Sequence, residues 1–272
     1  MWPFAARIVD DATVEWQLQA FEWLLTHLND GLAIAGTTLV LPDKDHFASD
    51  GETGHALALR VFAQVKSYIR VDDDIVIDLV QQPQRRSSIV NERVALEHDQ
   101  PEPLGTCRVN EAGNWEISYD PDLLKDPENL ISTFAHEIGH VLIPLSDELP
   151  VEPQEYEFLI DLSVAFFGFG VFLSNTRAER MTDGSWSWWK GGGYLPINDR
   201  LMATALFISL KRDERDKTAA ETFLRPQWRS TFRKAFRQLE RFRAEIDRLR
   251  SLDRELSATR LAQDVVPSAP QT

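Results

Sequence analysis

Along this chain, apolar residues recur at three- and four-residue spacing over several stretches and alternate with polar ones over shorter stretches. Trp16, Ala20, Trp23, Leu24 and His27 share one helical face, which predicts a helix from Trp16 to Leu28, ended by Asn29-Asp30-Gly31. Leu57, Val61, Phe62 and Val65 predict a second helix, with Thr53 as N-cap and Tyr68 near its end. Ile75 to Val80 and Asn114 to Tyr119 alternate and are bounded by turn residues, so both are expected strands. Thr38 to Leu41, Ile89 to Leu96 and Leu104 to Val109 are further strand candidates.

Asp126-Pro127-Glu128 marks a helix start, because Asp126 can cap and Pro127 suits the first helical position. That helix should run to Leu142 and stop before Pro144. After a loop at Pro150 to Pro153, a second long helix is expected from Gln154 to Leu173, and another from Asp199 to Leu210. Thr182 to Pro196 reads as an aromatic, glycine-rich loop containing Trp186, Trp188, Trp189, Gly191, Gly192, Gly193 and Tyr194. Pro226 to Leu256 reads as one long Arg-rich helix. Its seam of Phe232, Ala235, Leu239, Phe242, Ile246 and Leu249 suits packing on the domain better than pairing with a second chain. The pattern gives an α+β fold: an N-terminal helical segment over 1–34, a main domain over 35–215, a C-terminal helix over 216–258 and a disordered tail over 259–272.

The chemistry concentrates on the helix that Asp126 starts. His136 and His140 are four apart, so both imidazoles leave the same face and can reach one Zn2+. Glu137, one step round, can accept a proton from water at an open coordination position. Ile131, Phe134, Ile138 and Leu142 lie opposite and would anchor the helix, while Asn129 and Thr133 continue the histidine face. Catalytic zinc usually takes three protein ligands, and no histidine follows His140. The third donor is therefore sought among Glu152, Glu155, Glu157 and Asp161.

Composition narrows the setting. The net charge of -14 disfavours nucleic acid and anionic membrane surfaces as partners. The lone Cys107 excludes an intrachain disulfide and suits a reducing compartment. The N-terminus has no basic region followed by an apolar run, and Val164 to Leu173 is too short to span a bilayer. The expectation is a cytoplasmic protein. His46 and His55 are read as surface histidines rather than a second metal site, and Asp72 to Asp74 as a turn rather than a calcium loop.

The segment His136-Glu137-Ile138-Gly139-His140 followed by Glu157 and Asp161 resembles the zincin metallopeptidases, and among them the gluzincins, with HExxH and then ExxxD on the next helix. The resemblance implies a zincin-like domain, Glu157 as third ligand and Asp161 behind a ligand histidine, although the linker after His140 is shorter than in thermolysin-like enzymes. Asp161 stays open as the competing third ligand. It implies also that Trp115 to Tyr119 is the sheet edge that binds an extended peptide. Tyr194 is the first candidate for the oxyanion donor, followed by Arg177 and Arg180. Leu123 to Leu210 further resembles an uncharacterised bacterial family of zincin-like proteins, through Phe134 to His140, Asp161-Leu162, Phe166 to Phe172, Gly193-Tyr194-Leu195 and Ala203 to Phe207. The expected activity is zinc-dependent peptide hydrolysis with Glu137 as general base. The rival expectations are a non-catalytic zinc protein that binds a partner through the Trp-rich loop, and an interaction protein assembled through the C-terminal helix.

Overall fold

A computed structural model describes residues 7–28, 34–48, 51–83, 103–146, 148–176, 179–183, 186–190 and 193–264. It is mainly helical, with one small mixed sheet and one hairpin. Helix α1 spans Asp11–His27, starting earlier than the apolar pattern because Asp10 caps it by accepting from the Thr13 amide. Helix α2 spans Gly54–Ile69. Thr53 occupies its N-cap position but makes no side-chain capping bond. Thr38 to Leu41, expected as a strand, has no strand partner among the described residues, although the Val40 amide donates to the Gly168 carbonyl.

Strands β1 (Ile77–Gln81), β2 (Gly105–Val109) and β3 (Trp115–Tyr119) form a sheet in the order β1-β3-β2. β1 runs parallel to β3 and β2 antiparallel to it, with Leu79 and Cys107 both beside Ile117. The strand expected at the edge, Trp115 to Tyr119, is therefore the central one. Both of its edges are paired, and Ile117 and Tyr119 turn its inner face fully into the core. The candidate strand Ile89 to Leu96 lies outside the described residues.

Helix α3 (Pro127–Leu142) begins as its sequence dictates, with the Asp126 carboxylate accepting from the Asn129 amide and Pro127 in the first turn. Phe134 packs edge-on against Phe62 of α2 and Tyr119 of β3, at centroid distances of 5.2 and 5.7 Å. The expected helix from Gln154 to Leu173 is two: α4 (Tyr156–Val164) and α5 (Gly170–Asn175), joined by a wide turn at Ala165–Phe169. The break falls at Gly168, whose φ is +93°. The stretch Pro153–Asn175 is long and apolar enough to cross a membrane, but 89% of its most apolar window is buried inside the fold. It is the spine of the core.

The segment read as a loop, Thr182 to Pro196, contains strand β5 (Trp186–Lys190), which pairs in antiparallel register with β4 (Glu179–Asp183) just before it. The tryptophans at 186, 188 and 189 are good strand formers, and this preference outweighs the neighbouring glycines. Helix α6 (Ile197–Lys211) follows, then α7 (Glu214–Phe223), which the apolar pattern missed. The single C-terminal helix is in fact α8 (Pro226–Leu239) and α9 (Arg243–Asp264), separated by a tight turn at Glu240–Phe242. Its seam faces inward: Phe232, Ala235, Leu239, Phe242, Ile246 and Leu249 are all buried. α8 packs on α6 and α9 on α1 and α6, so these helices share one core with the rest of the described chain.

Candidate metal centre

Two helices and one turn build the site. α3 carries His136, Glu137 and His140; α4 carries Glu157 and Asp161; the turn before α6 carries Tyr194. His136 Nε2 lies 3.2 Å from His140 Nε2. Glu157 Oε2 lies 3.2 Å from the first of these nitrogens and 3.5 Å from the second.

The donors behind the rings decide what those atoms are. The Tyr156 hydroxyl donates its only proton to the Ile143 carbonyl at 2.6 Å, so at 3.2 Å from His140 Nδ1 it can only accept. Asp161 accepts the Tyr194 and Leu195 amides at Oδ2, and its Oδ1 lies 3.0 Å from His136 Nδ1. Both histidines therefore carry a proton on Nδ1 and direct Nε2 at a common point. Glu157 Oε2, aimed at the same point, is buried and makes no hydrogen bond. With both rings neutral, three acceptor atoms converge on one point, an arrangement that a cation, or a proton held between them, resolves.

The spacing fits such an ion. Ligand atoms about 2.0–2.2 Å from one tetrahedral centre lie roughly 3.3–3.6 Å apart. The observed 3.2, 3.2 and 3.5 Å fall close to that range. Among the described residues, His136, His140 and Glu157 form the one group of metal-ligating side chains close enough to share an ion. Asp161 stands behind His136 rather than in this group. Glu152 and Glu155 lie in the exposed and half-exposed turn that precedes α4.

Without a metal, the cluster holds a proton. Burial works against charge on His136, but the hydrogen bond to Asp161 and the contact with Glu157 outweigh it and lift the imidazole to about 10. Burial likewise opposes charge on Glu157, yet the two histidines hold its carboxyl down at about 2. Glu137 is 5% exposed, and burial raises its pKa above the ordinary glutamate value despite the flanking histidines.

The site opens into a cleft of about 350 Å³, walled by Gly105, Cys107, Trp115, Leu145, Tyr156 and Tyr194 among others. The Tyr194 ring stacks on His136 at 5.6 Å and 17°, with its residue half exposed. Gly105 begins β2 directly over the Glu137 carboxylate: a Cβ there would come within 2.6 Å of Glu137 Oε1. Burial, and then the Glu137 carboxylate, push the Cys107 thiol up to about 12, so it stands in the cleft uncharged. Tyr156, Gly105 and Cys107 had no motif to announce them. Each is placed by backbone packing, and only the tyrosine's adjacency to Glu157 hints at its position.

The other sequence candidates lie elsewhere. Asn129 turns back to its own cap residue, Asp126, while Thr133 faces Gly105. His46 bonds Asp43, and His55 stacks on Tyr119; the two do not form a metal group. Asp72 closes a turn onto the Asp74 amide. Arg180 lies on β4, and Arg177 lies outside the described residues. A second cleft between α6 and α9 carries Arg212 and Arg250, which both pair with Asp247. No family model, no curated protein and no solved structure matches this chain. The reading of the site therefore rests on its own chemistry.

Proposed function

We propose that the chain is a zinc-dependent peptide hydrolase of the zincin type. The observation that carries this reading is the convergence of His136 Nε2, His140 Nε2 and Glu157 Oε2 beside the buried carboxyl of Glu137. Two imidazoles and one carboxylate suit Zn2+ and leave a coordination position open. When bound, the ion supplies Lewis acidity, polarising a carbonyl and lowering the pKa of water towards ~7.

The protein's own groups supply the rest. Glu137 accepts a proton at its carboxylate and delivers it to the leaving amine; its raised pKa brings it nearer to the working pH. Tyr194 stands at the cleft with its phenol kept protonated, first by burial and then by Glu157, Glu137 and Asp161 nearby, so it can donate to a developing oxyanion. Among the described residues β2 pairs with β3 alone, and its residues Gly105, Thr106 and Cys107 line the cleft. An extended peptide adding to that edge would run past Gly105, where the missing side chain lets its backbone approach Glu137.

Elemental analysis of purified protein is expected to show one zinc per chain. Glu137→Gln should retain the zinc and lose cleavage of a peptide library by about 10²–10⁴-fold. Absence of zinc after reconstitution, or cleavage that survives the substitution, overturns the reading. Zinc bound without cleavage by the wild-type protein leaves a metal site without hydrolysis.

A further inference from the structure

Asp161 is almost fully buried, at 1% exposed, and its two oxygens face different ways. Oδ1 meets the His136 ring, and Oδ2 receives the amides of Tyr194 and Leu195 at 2.5 and 2.8 Å. Two successive amides turned inward make a small anion-holding cradle. The turn that forms this cradle is held from behind by Arg200 on α6. The Arg200 Nε donates to the Leu195 carbonyl at 2.5 Å, and a terminal nitrogen to the Gly193 carbonyl at 3.2 Å. The other terminal nitrogen reaches the Thr176 hydroxyl and the Leu173 carbonyl at 3.0 and 3.4 Å, tying the turn to α5. Arg200 is itself only 7% exposed; burial lowers its pKa, and the carboxylates of Asp161 and Asp199 oppose that shift.

We propose that Arg200 is a positioning residue for the metal centre: it clamps the 193–195 turn, the turn orients Asp161, and Asp161 aims the His136 ring. The proposal rests on the metal reading above. A planar fork with donors in fixed directions can hold the two carbonyls at either end of the turn at once, whereas a lysine ammonium on a flexible stem can keep one. The turn has no slack of its own. Gly193 has a φ of +67°, and a Cβ there would sit 2.7 Å from Asp161 Oδ2. A change at Arg200 therefore reaches His136 through an unbroken chain of hydrogen bonds, without touching a ligand atom.

The test is a double-mutant cycle read by Zn2+ affinity, using a chromophoric chelator as competitor. Groups that orient metal ligands are worth about 10–100-fold in affinity, and Arg200→Lys, one step further out, should cost about tenfold. In an Asp161→Asn background, the same change should cost less than about twofold, because the link it acts through is already cut. In a Tyr156→Phe background, which alters the other histidine, its tenfold effect should persist. A purely structural role for Arg200 would give equal effects in both backgrounds. A second readout needs no metal: amide exchange at Tyr194 and Leu195 should quicken in Arg200→Lys while α4 amides stay protected. Gly193→Ala, which disturbs the turn with Arg200 intact, should shift both readouts in the same direction and serves if the Arg200 variant does not fold. Affinity within twofold of wild type, full additivity with Asp161→Asn, or unchanged exchange overturns the proposal. Failure of the wild-type protein to take up zinc instead removes the metal reading, and this proposal with it.

Discussion

The two flanks of the candidate metal centre are built differently. On one flank His136 leans on Asp161, a buried carboxylate that two backbone amides hold in place. On the other flank His140 leans on Tyr156, a neutral hydroxyl that spends its proton on the Ile143 carbonyl. Both supports select the same tautomer, leaving Nε2 free on each ring. They differ in charge and in reach. The Asp161 flank makes its ring more basic and connects it to α6 through the 193–195 turn. The Tyr156 flank ties its ring to the start of α4 and, through the Ile143 carbonyl, to the end of α3. Two histidines at equivalent positions of one motif thus have unequal mechanical and electrostatic backing.

The largest expected effect treats the flanks alike. Glu157→Gln replaces the charged donor between the rings with a neutral amide, and stoichiometric zinc should be lost on dialysis, as elemental analysis would show. Retention of one tightly held zinc would mean that another carboxylate is the third ligand and that both supports have been misassigned. Next comes Asp161→Asn, which removes the negative charge behind His136; zinc affinity should fall about 10–100-fold. Tyr156→Phe should cost clearly less, below about tenfold in affinity, because a neutral acceptor is lost. It should also lower thermal stability by about 0.5–1.5 kcal/mol through the missing bond to the Ile143 carbonyl. If these two variants cost the same, the contrast between the flanks is wrong.

The smallest effect concerns the wall between them. In the metal-free protein Cys107 keeps its proton up to about pH 12, because burial and the Glu137 carboxylate disfavour the thiolate. The unfolded chain releases that proton near pH 8.5, the ordinary thiol value. The folded state therefore binds the extra proton, and stability should fall as pH rises through that interval. Iodoacetamide should accordingly label the native protein slowly at pH 8.5 and the denatured protein quickly. Fast native labelling would show that the cleft tolerates an added negative charge beside Glu137.

Local pattern was a sound guide wherever the structure is local. The cap at Asp126, the shared face of His136 and His140 and the inward seam of the C-terminal helices follow from helical periodicity, which neighbours along the chain impose. Errors came where a choice depended on distant partners or on competing preferences. Trp115 to Tyr119 alternates like any half-buried strand, and nothing in its pattern says whether it pairs on one side or two. The tryptophans of β5 favoured a strand while the adjacent glycines suggested a loop.

The sequence by itself determined that two imidazoles and a glutamate share one capped helix, and that carboxylates follow on the next. It left Glu157 and Asp161 open as rivals, because residues four apart on one helix face are equivalent to a periodicity argument. Only the tertiary structure separated them. Packing of α4 against α3 sets Glu157 level with the two Nε2 atoms. It also sinks Asp161 one turn deeper, where the amides of the 193–195 turn meet its second oxygen and turn the first towards His136. A ligand is defined by which atom reaches the common point, and that is a property of how helices pack rather than of how residues are spaced.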